Sequence, residues 1–118
     1  MKKILVIDDE TIIGLSCERA LAMEGYEVKS VLSGKKGLEL LEEEPFGIIL
    51  LDLKMPDMDG MELLKTIKEK WPETKVIMIT GYASVDTAVT ALKLGAFNYI
   101  EKPFDPDTLF NAVKEAGE

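Results

Sequence analysis

The sequence predicts an α/β fold in which a five-stranded parallel sheet is doubly wound by five helices. Short apolar runs rich in Val, Ile and Leu alternate along the 118 residues with segments whose apolar residues recur at helical spacing. Continuous apolar strands are typical of parallel sheets that are buried on both faces, and right-handed crossovers place helices on both sides. The sequence shows no linker, low-complexity segment or internal repeat, so residues 1–118 are expected to form one domain.

Three strands and two helices are predicted in the first half of the chain. The strands carry continuous or alternating apolar runs and are predicted at residues 3–7, 26–31 and 47–51. The helices carry apolar residues at helical spacing and are predicted at residues 11–23 and 35–44. Gly25 and Pro45 follow the two helices, at positions where a helix commonly ends.

The second half begins with the turn sequence MPDMDG at residues 55–60 and continues the alternation. Strands are predicted at residues 76–79 and 97–100. Helices are predicted at residues 61–70 and 85–94 and from Pro106 onward. Ser84 and Asp105 are suitable N-caps for the last two helices, because their side chains can accept from free amides of the first turn.

Composition excludes several functional classes. The net charge is -8, and an acidic surface repels nucleic acid and anionic membranes, so neither is expected to bind. The chain has no histidine, which excludes Ser-His-Asp chemistry and imidazole metal ligands, and its one cysteine, Cys17, is expected to be a small core residue. The N-terminus does not resemble a signal peptide and no apolar run is long enough to span a bilayer, so the chain is expected to be cytoplasmic.

Polar residues follow four of the predicted strands. In an open parallel sheet, ligands bind outside the carboxyl ends of the strands. Asp8 and Asp9 follow the first strand, Asp52 the third, Thr80 the fourth and Lys102 the fifth. Any one of these residues seen alone would more often be a helix cap, a turn residue or a solvated side chain, but their joint placement predicts a binding site.

The chemistry of this set favours phosphoryl transfer. Two like charges ~4 Å apart repel by roughly 4 kcal/mol at an effective dielectric constant of 20, so three carboxylates at one edge need a cation. Carboxylate oxygens in small number suit Mg²⁺, and Lys102 adds a permanent positive charge. A carboxylate can also act as the nucleophile that forms an aspartyl phosphate, and Asp52 is the best candidate because it stands alone.

Four motifs resemble those of one family over essentially the whole chain. They are VIDDE at the first strand, LLDLKMPDMDG at the third, MITG at the fourth and YIEKPF at the fifth. In this order and spacing, they resemble the receiver domain of bacterial two-component response regulators, which implies a (βα)5 flavodoxin-like or CheY-like sandwich. The stretch from Thr80 to Phe104 is most similar to receivers of NtrC-type transcriptional activators.

The resemblance implies a role for each site residue. Asp52 is the phosphoryl acceptor, and Mg²⁺ (or Mn²⁺) is bound by Asp9, Asp52 and the backbone carbonyl of Lys54, with Asp8 acting largely through a metal-bound water. Thr80 and Lys102 are implied to hold phosphoryl oxygens.

Further implications concern switching and lifetime. Tyr99 is the implied switch aromatic, which turns inward when Thr80 moves toward the phosphoryl group, and the Lys102–Pro103 peptide bond is implied to be cis. Lys54 and Tyr82 occupy the two positions that tune the lifetime of the phosphoryl group, and neither is suited to position water, so self-dephosphorylation is expected to be slow.

The resemblance also implies partners. The phosphodonor is a sensor histidine kinase or a small phosphodonor, and the readout is an output domain or protein that regulates transcription, with a homodimer as a further option. The chain is expected to be a signalling domain that assists its own phosphorylation, and an excised regulatory domain is favoured over a stand-alone receiver. Val85, Val89 and Leu92 could serve the output face beside Tyr99, although core packing is expected for at least two of them.

Three alternatives stay open at the level of sequence. A haloacid-dehalogenase type phosphatase would need a second acid two residues after its nucleophile, where this chain has Lys54. A flavodoxin-like FMN binder would need a phosphate loop rich in Ser, Thr and Gly after the first strand, where this chain has acids. A receiver that binds partners without being phosphorylated would not need the complete acceptor set.

Overall fold

The predicted strands form a single parallel sheet in the computed structural model, which describes residues 2–117. The strands are β1 (Lys3–Ile7), β2 (Glu27–Val31), β3 (Ile48–Asp52), β4 (Lys75–Thr80) and β5 (Asn98–Glu101). Their order in the sheet is β2-β1-β3-β4-β5, and all four neighbouring pairs are parallel. The order reverses between β1 and β3, and the carboxyl ends of these two strands are therefore where a ligand site is expected.

Five helices cover the sheet: α1 (Thr11–Ala22), α2 (Gly34–Glu43), α3 (Gly60–Lys70), α4 (Val85–Lys93) and α5 (Pro106–Gly117). The predicted caps are confirmed, since Ser84 accepts from the amide of Thr87 at 3.1 Å and Asp105 accepts from the amide of Thr108 at 2.8 Å. Gly95, at φ 106°, ends the α4 segment in the left-handed region that favours glycine. Within residues 2–117, no helix is long and apolar enough to cross a membrane.

Alternate residues of the central strands face two separate hydrophobic cores. Successive side chains of a strand point to opposite faces, so β1 and β3 send Ile4 and Leu50 to one core and Leu5 and Ile49 to the other. Helices α1 and α5 complete the first core, and Cys17 is buried there as predicted. Helices α2 and α3 supply most of the helical side chains of the second core. The sheet is thus held from both sides, which fixes the positions of its strand ends.

Observed element bounds differ from the predicted ones by one residue at most ends. Two of these differences matter, because Asp52 and Thr80 are the last residues of β3 and β4 and not the first residues of the following loops. Both therefore remain within the hydrogen-bonded sheet, where Asp52 pairs with Ile79 and Thr80 with Glu101. Their backbone positions are consequently set by the sheet itself.

The expectation that at least two of the apolar residues of α4 pack in the core is wrong. Val85 is 79% exposed, Leu92 50% and Val89 44%. The physical reason is the position of α4 beside β5, the short strand at the edge of the sheet, where the helix buries only Ala91. Helix α4 therefore presents an apolar stripe to solvent.

Gly60, at the start of α3, allows the helix to approach the backbone that follows β3. A Cβ atom at this position would lie 2.5 Å from the carbonyl oxygen of Asp52 and closer still to that of Leu53. The Gly60 amide also donates to the Leu53 carbonyl at 2.9 Å. Because backbone atoms surround this position, the structure has no flexible side chain that could move aside.

We expect Gly60→Ala to lower the free energy of unfolding by about 2–4 kcal/mol, because overpacking against backbone forces the loop and helix apart. The measurement is urea unfolding followed by circular dichroism. Gly47→Ala is the matched control, since a Cβ there meets nothing within 4 Å, and its stability should stay close to that of the wild type. Equal stabilities of the two variants would contradict the close approach described for Gly60.

Candidate functional site

The carboxyl ends of four strands bring the predicted site residues together. Ladder hydrogen bonds continue just past the strands: the Asp8 amide donates to Val31 at 3.2 Å, and the Lys102 amide donates to the Thr80 carbonyl at 2.7 Å. The backbone on both sides of the site is therefore anchored to the sheet. An open cleft of about 780 Å³ lies above these strand ends.

Three carboxylates converge at this end of the sheet, and Asp9 and Asp52 line the cleft itself. One oxygen from each of Asp8, Asp9 and Asp52 lies within 4.8 Å of the others. Asp8 is 1% exposed and Asp52 4%, whereas Asp9 is exposed. Neither Asp8 nor Asp9 caps α1, because the N-cap residue is Glu10 and its side chain makes no cap hydrogen bond. The convergence predicted from the order of the strands is confirmed for these three residues.

Lys102 is the positive charge within this acidic cluster. Its Nζ lies 2.7 Å from Asp8 Oδ2, 2.7 Å from Glu10 Oε2 and 3.7 Å from Asp52 Oδ1. The peptide bond between Lys102 and Pro103 is cis. Lys102 is thus directed mainly at the residues that follow β1, and Asp52 receives the smallest share of its charge.

Glu10 is a member of the cluster that the sequence analysis did not single out. It follows Asp8 and Asp9 directly, so the strand-end rule covers it, but its side chain is exposed and a third acid in a row has no distinguishing signal. In the structure Glu10 accepts from Lys102 Nζ. It therefore competes with Asp52 for the same ammonium group.

Burial and like charges raise the pKa values of both buried acids. Loss of hydration raises the pKa of Asp52 to about 6, and the neighbouring Asp8 adds to this rise, while Lys102 and the Lys54 amide oppose it. Burial likewise raises the pKa of Asp8, against the lowering effect of Lys102. Burial works against the charge of Lys102, but the carboxylates of Asp8 and Glu10 outweigh it and raise the Lys102 pKa. The site thus carries negative charge that its own lysine does not fully balance.

The cluster fits a small divalent cation with oxygen ligands. Among residues 2–117, Asp8 Oδ2 is the buried side-chain oxygen that lacks a hydrogen-bond partner. It is nevertheless ion-paired with the Lys102 ammonium 2.7 Å away, and because that ammonium also serves Glu10 and Asp52, one cation faces three carboxylates. A small number of carboxylates beside an open cleft is a suitable site for Mg²⁺, because this ion retains several waters and binds only one or two carboxylates. Asp8, Asp9 and Asp52 are the residues that would hold it.

Thr80 and Tyr99 make separate contacts on the α4 side of the site. Thr80 is fully buried, and its hydroxyl oxygen accepts from the Tyr82 amide at 2.9 Å. The Tyr99 hydroxyl lies 2.6 Å from the hydroxyl of Thr87, which forms a reciprocal capping box with Ser84. The partnership with Thr87 was not predicted, because the sequence signal of a capping box is Glu or Gln three residues after the cap, where this chain has Thr.

Lys54 and Tyr82 line the same cleft as Asp52, and their side chains contact each other. The ammonium of Lys54 is 4.7 Å from the centre of the Tyr82 ring, within the range of a cation–π contact. The backbone amide of Lys54 also lies 3.4 Å from Asp52 Oδ1. The contact between these two residues therefore lies beside Asp52 at the wall of the cleft.

Comparison with known proteins assigns the chain to a family of signalling domains. Residues 4–114 match the family model of the response regulator receiver domain, and the chain therefore belongs to that family. It is 39% identical over 116 residues to Regulatory protein AtoC of Escherichia coli (strain K12), a match that covers 98% of this chain and 25% of AtoC. The chain spans about a quarter of the length of the curated relatives it matches.

Solved structures share the whole fold. A receiver domain protein (CheY-like) from Methanospirillum hungatei JF-1 superposes with a TM-score of 0.93 at 43% identity, covering 98% of this chain and 92% of that one. The beryllofluoride-activated NtrC4 receiver domain dimer gives a TM-score of 0.94 at 41% identity, covering 98% and 96%. The predicted fold, family and likeness to NtrC-type regulators are confirmed, and the phosphatase and FMN-binding alternatives are not supported.

The unbalanced charge at Asp52 is expected to lower the stability of the folded protein at neutral pH. Because the folded protein holds the Asp52 proton more tightly than the unfolded chain, stability without metal should fall as the pH rises from 3.8 to about 6 and stay low above. We expect Asp52→Asn to raise the free energy of unfolding at neutral pH by about 1–3 kcal/mol in chelator-treated buffer. Urea unfolding across this pH range is the measurement.

Glu39→Gln is the matched control for this prediction. Glu39 is exposed on α2, so its replacement removes the same charge without relieving the buried cluster. The Glu39→Gln variant should keep the pH dependence of stability seen in the wild type. Mg²⁺ should stabilise the wild type and Glu39→Gln more than it stabilises Asp52→Asn. If Asp52→Asn were less stable than the wild type without metal, the charge at Asp52 would be balanced in the folded state.

Proposed function

We propose that this receiver domain takes a phosphoryl group onto Asp52 in a Mg²⁺-dependent reaction. The donor is the phosphohistidine of a sensor histidine kinase or a small phosphodonor, and Mn²⁺ can replace Mg²⁺. The observation that carries the proposal is the convergence of buried Asp52 with Asp8, Asp9 and Lys102 at strand ends beside one open cleft. The chain lacks histidine, so the phosphohistidine belongs to another protein.

Asp52 is the nucleophile in the proposed reaction. One carboxylate oxygen attacks the phosphorus, and the bond from phosphorus to the donor nitrogen or oxygen breaks with its electron pair remaining on the donor. With a pKa of about 6, Asp52 is mostly ionised at neutral pH and keeps its nucleophilic form. When bound, Mg²⁺ supplies the charge neutralisation that phosphoryl transfer requires.

Lys102 and Thr80 are proposed to hold the transferred group. The Lys102 ammonium already lies 3.7 Å from Asp52, and it also forms closer ion pairs with Asp8 and Glu10. The Thr80 hydroxyl accepts from the Tyr82 amide and keeps its own proton, which it can donate to a phosphoryl oxygen. Asp9 and the carbonyl of Lys54 are proposed to complete the metal site, with Asp8 acting largely through a metal-bound water.

The proposed readout is a change in the α4 face. If Thr80 moves toward the phosphoryl group, it vacates space into which Tyr99 can turn, and the Tyr99–Thr87 contact at the start of α4 is lost. Phosphorylation then favours a second position of α4 by a differential free energy of a few kcal/mol. The exposed stripe of Val85, Val89 and Leu92 is the surface that an output domain, a transcriptional output protein or a second receiver would read.

Intact mass spectrometry after incubation with acetyl phosphate tests the acceptor and the metal together. We expect one added phosphoryl group in the presence of Mg²⁺, none with excess chelator, and none in Asp52→Asn. The variant Glu39→Gln should behave like the wild type. If the wild-type chain gained no phosphoryl group after incubation with acetyl phosphate or with its kinase, the result would instead support a receiver that binds partners without phosphorylation.

The Lys54–Tyr82 contact predicts slow self-dephosphorylation. Replacing Lys54 with Asn removes the cation–π contact and adds an amide that can orient the attacking water. We expect Lys54→Asn to speed phosphate loss about threefold to tenfold, equivalent to roughly 1 kcal/mol in activation free energy. The decay of purified phosphoprotein, followed by phosphate release, measures this rate. A rate equal to that of the wild type would show that Lys54 does not protect the acyl phosphate.

A further inference from the structure

Asp57 lies in the loop of residues 53–59 between β3 and α3, and its side chain caps the N-terminus of α2. Its Oδ1 accepts from the amide of Gly34 at 3.2 Å, and its Oδ2 accepts from the amide of Lys35 at 3.2 Å. The first amides of a helix have no partner within the helix, and Ser33 satisfies only the amide of Lys36. Asp57 therefore supplies to α2 the part of the cap that the local sequence does not provide.

A close packing contact accompanies these two hydrogen bonds. A Cβ atom at Gly34 would lie 2.9 Å from the sulfur and 3.1 Å from the Cβ of Met58. Only glycine permits Met58 to approach α2 this closely. The tip of the loop is thus held against α2 by a carboxylate on one residue and by a side-chain contact on the next.

The base of the same loop is closed independently. Lys54 and Asp59 form an isolated antiparallel bridge, and the Gly60 amide donates to the carbonyl of Leu53 at 2.9 Å. The segment that directly follows Asp52 is therefore fixed at its base by its own backbone and at its tip by α2. The tip anchor is the exposed and more easily disturbed of the two, since both Pro56 and Asp57 face solvent.

We propose that Asp57 is a positioning residue for the metal site. By anchoring the loop to α2 it adds a second restraint, beyond the Lys54–Asp59 bridge, on the backbone at Lys54, whose amide faces Asp52 and whose carbonyl is a proposed Mg²⁺ ligand. Groups that orient metal ligands from behind commonly influence metal affinity without contacting the ion. This inference rests on the proposed function, because it assigns Asp57 a role toward the cation that Asp52 requires.

The test is the Mg²⁺ dissociation constant of the unphosphorylated protein, measured by isothermal titration calorimetry, together with the melting temperature without metal. We expect Asp57→Ala to weaken Mg²⁺ binding about tenfold, at the low end of what is usual for groups that orient metal ligands. Ser33→Ala is the matched control, because it removes the other cap of α2 without touching the loop. It should lower the melting temperature and leave Mg²⁺ affinity unchanged.

Asp57→Asn separates positioning from charge. The amide oxygen can still accept from one of the two helix amides, so this variant should keep most of the affinity that Asp57→Ala loses. Wild-type affinity in Asp57→Ala, an equal loss in Ser33→Ala, or an equal loss in Asp57→Asn would each overturn the inference while leaving the proposed function intact. Absence of Mg²⁺ binding by the wild type would overturn the metal dependence of the proposed function and this inference with it.

Discussion

The structure depends on two buried carboxylates that share one lysine. Asp8 and Asp52 are held by the ends of adjacent strands, and the hydrophobic cores on both faces of the sheet prevent these strands from moving apart. Lys102 is turned toward Asp8 and Glu10, which leaves Asp52 with the weaker part of its charge. A folded state that keeps like charges together is a state that binds a cation well, because binding removes a cost already present in the fold.

The carboxylate cluster around Asp52 lies close to the residues and the helix that are proposed to move on phosphorylation. Thr80 ends the strand next to Asp52, and its hydroxyl is held by an amide of the loop that leads to α4. Tyr99 reaches the capping box at the start of the same helix through Thr87. Helix α4 buries only Ala91, so small changes at its N-terminus meet little resistance from packing. The proposed switch thus joins a rigid site to the helix that is least fixed by the core.

Much of this arrangement could be predicted from the sequence, since strand periodicity and the rule of strand ends depend on local patterns. Asp8, Asp9, Asp52 and Lys102 were identified in this way, and the structure brings them together, while Thr80 ends the strand next to Asp52. The exposure of Val89 and its neighbours could not be predicted, because an apolar stripe has the same spacing whether the helix covers the middle or the edge of a sheet.

The contacts of Glu10 and Asp57 were missed for a related reason. Both are exposed acids in loops, and a charged residue in a loop carries no signal that distinguishes a solvated side chain from one that reaches another element. The partner of Glu10, Lys102, is 92 residues away in the chain, and one partner of Asp57, the Gly34 amide, is 23 residues away.

The central claim, that Asp52 receives the phosphoryl group, is tested most directly by borohydride reduction of the phosphorylated protein followed by peptide mass spectrometry. Conversion of residue 52 alone to homoserine is the predicted result, and reduction at Asp8, Asp9 or any other acid would contradict the account.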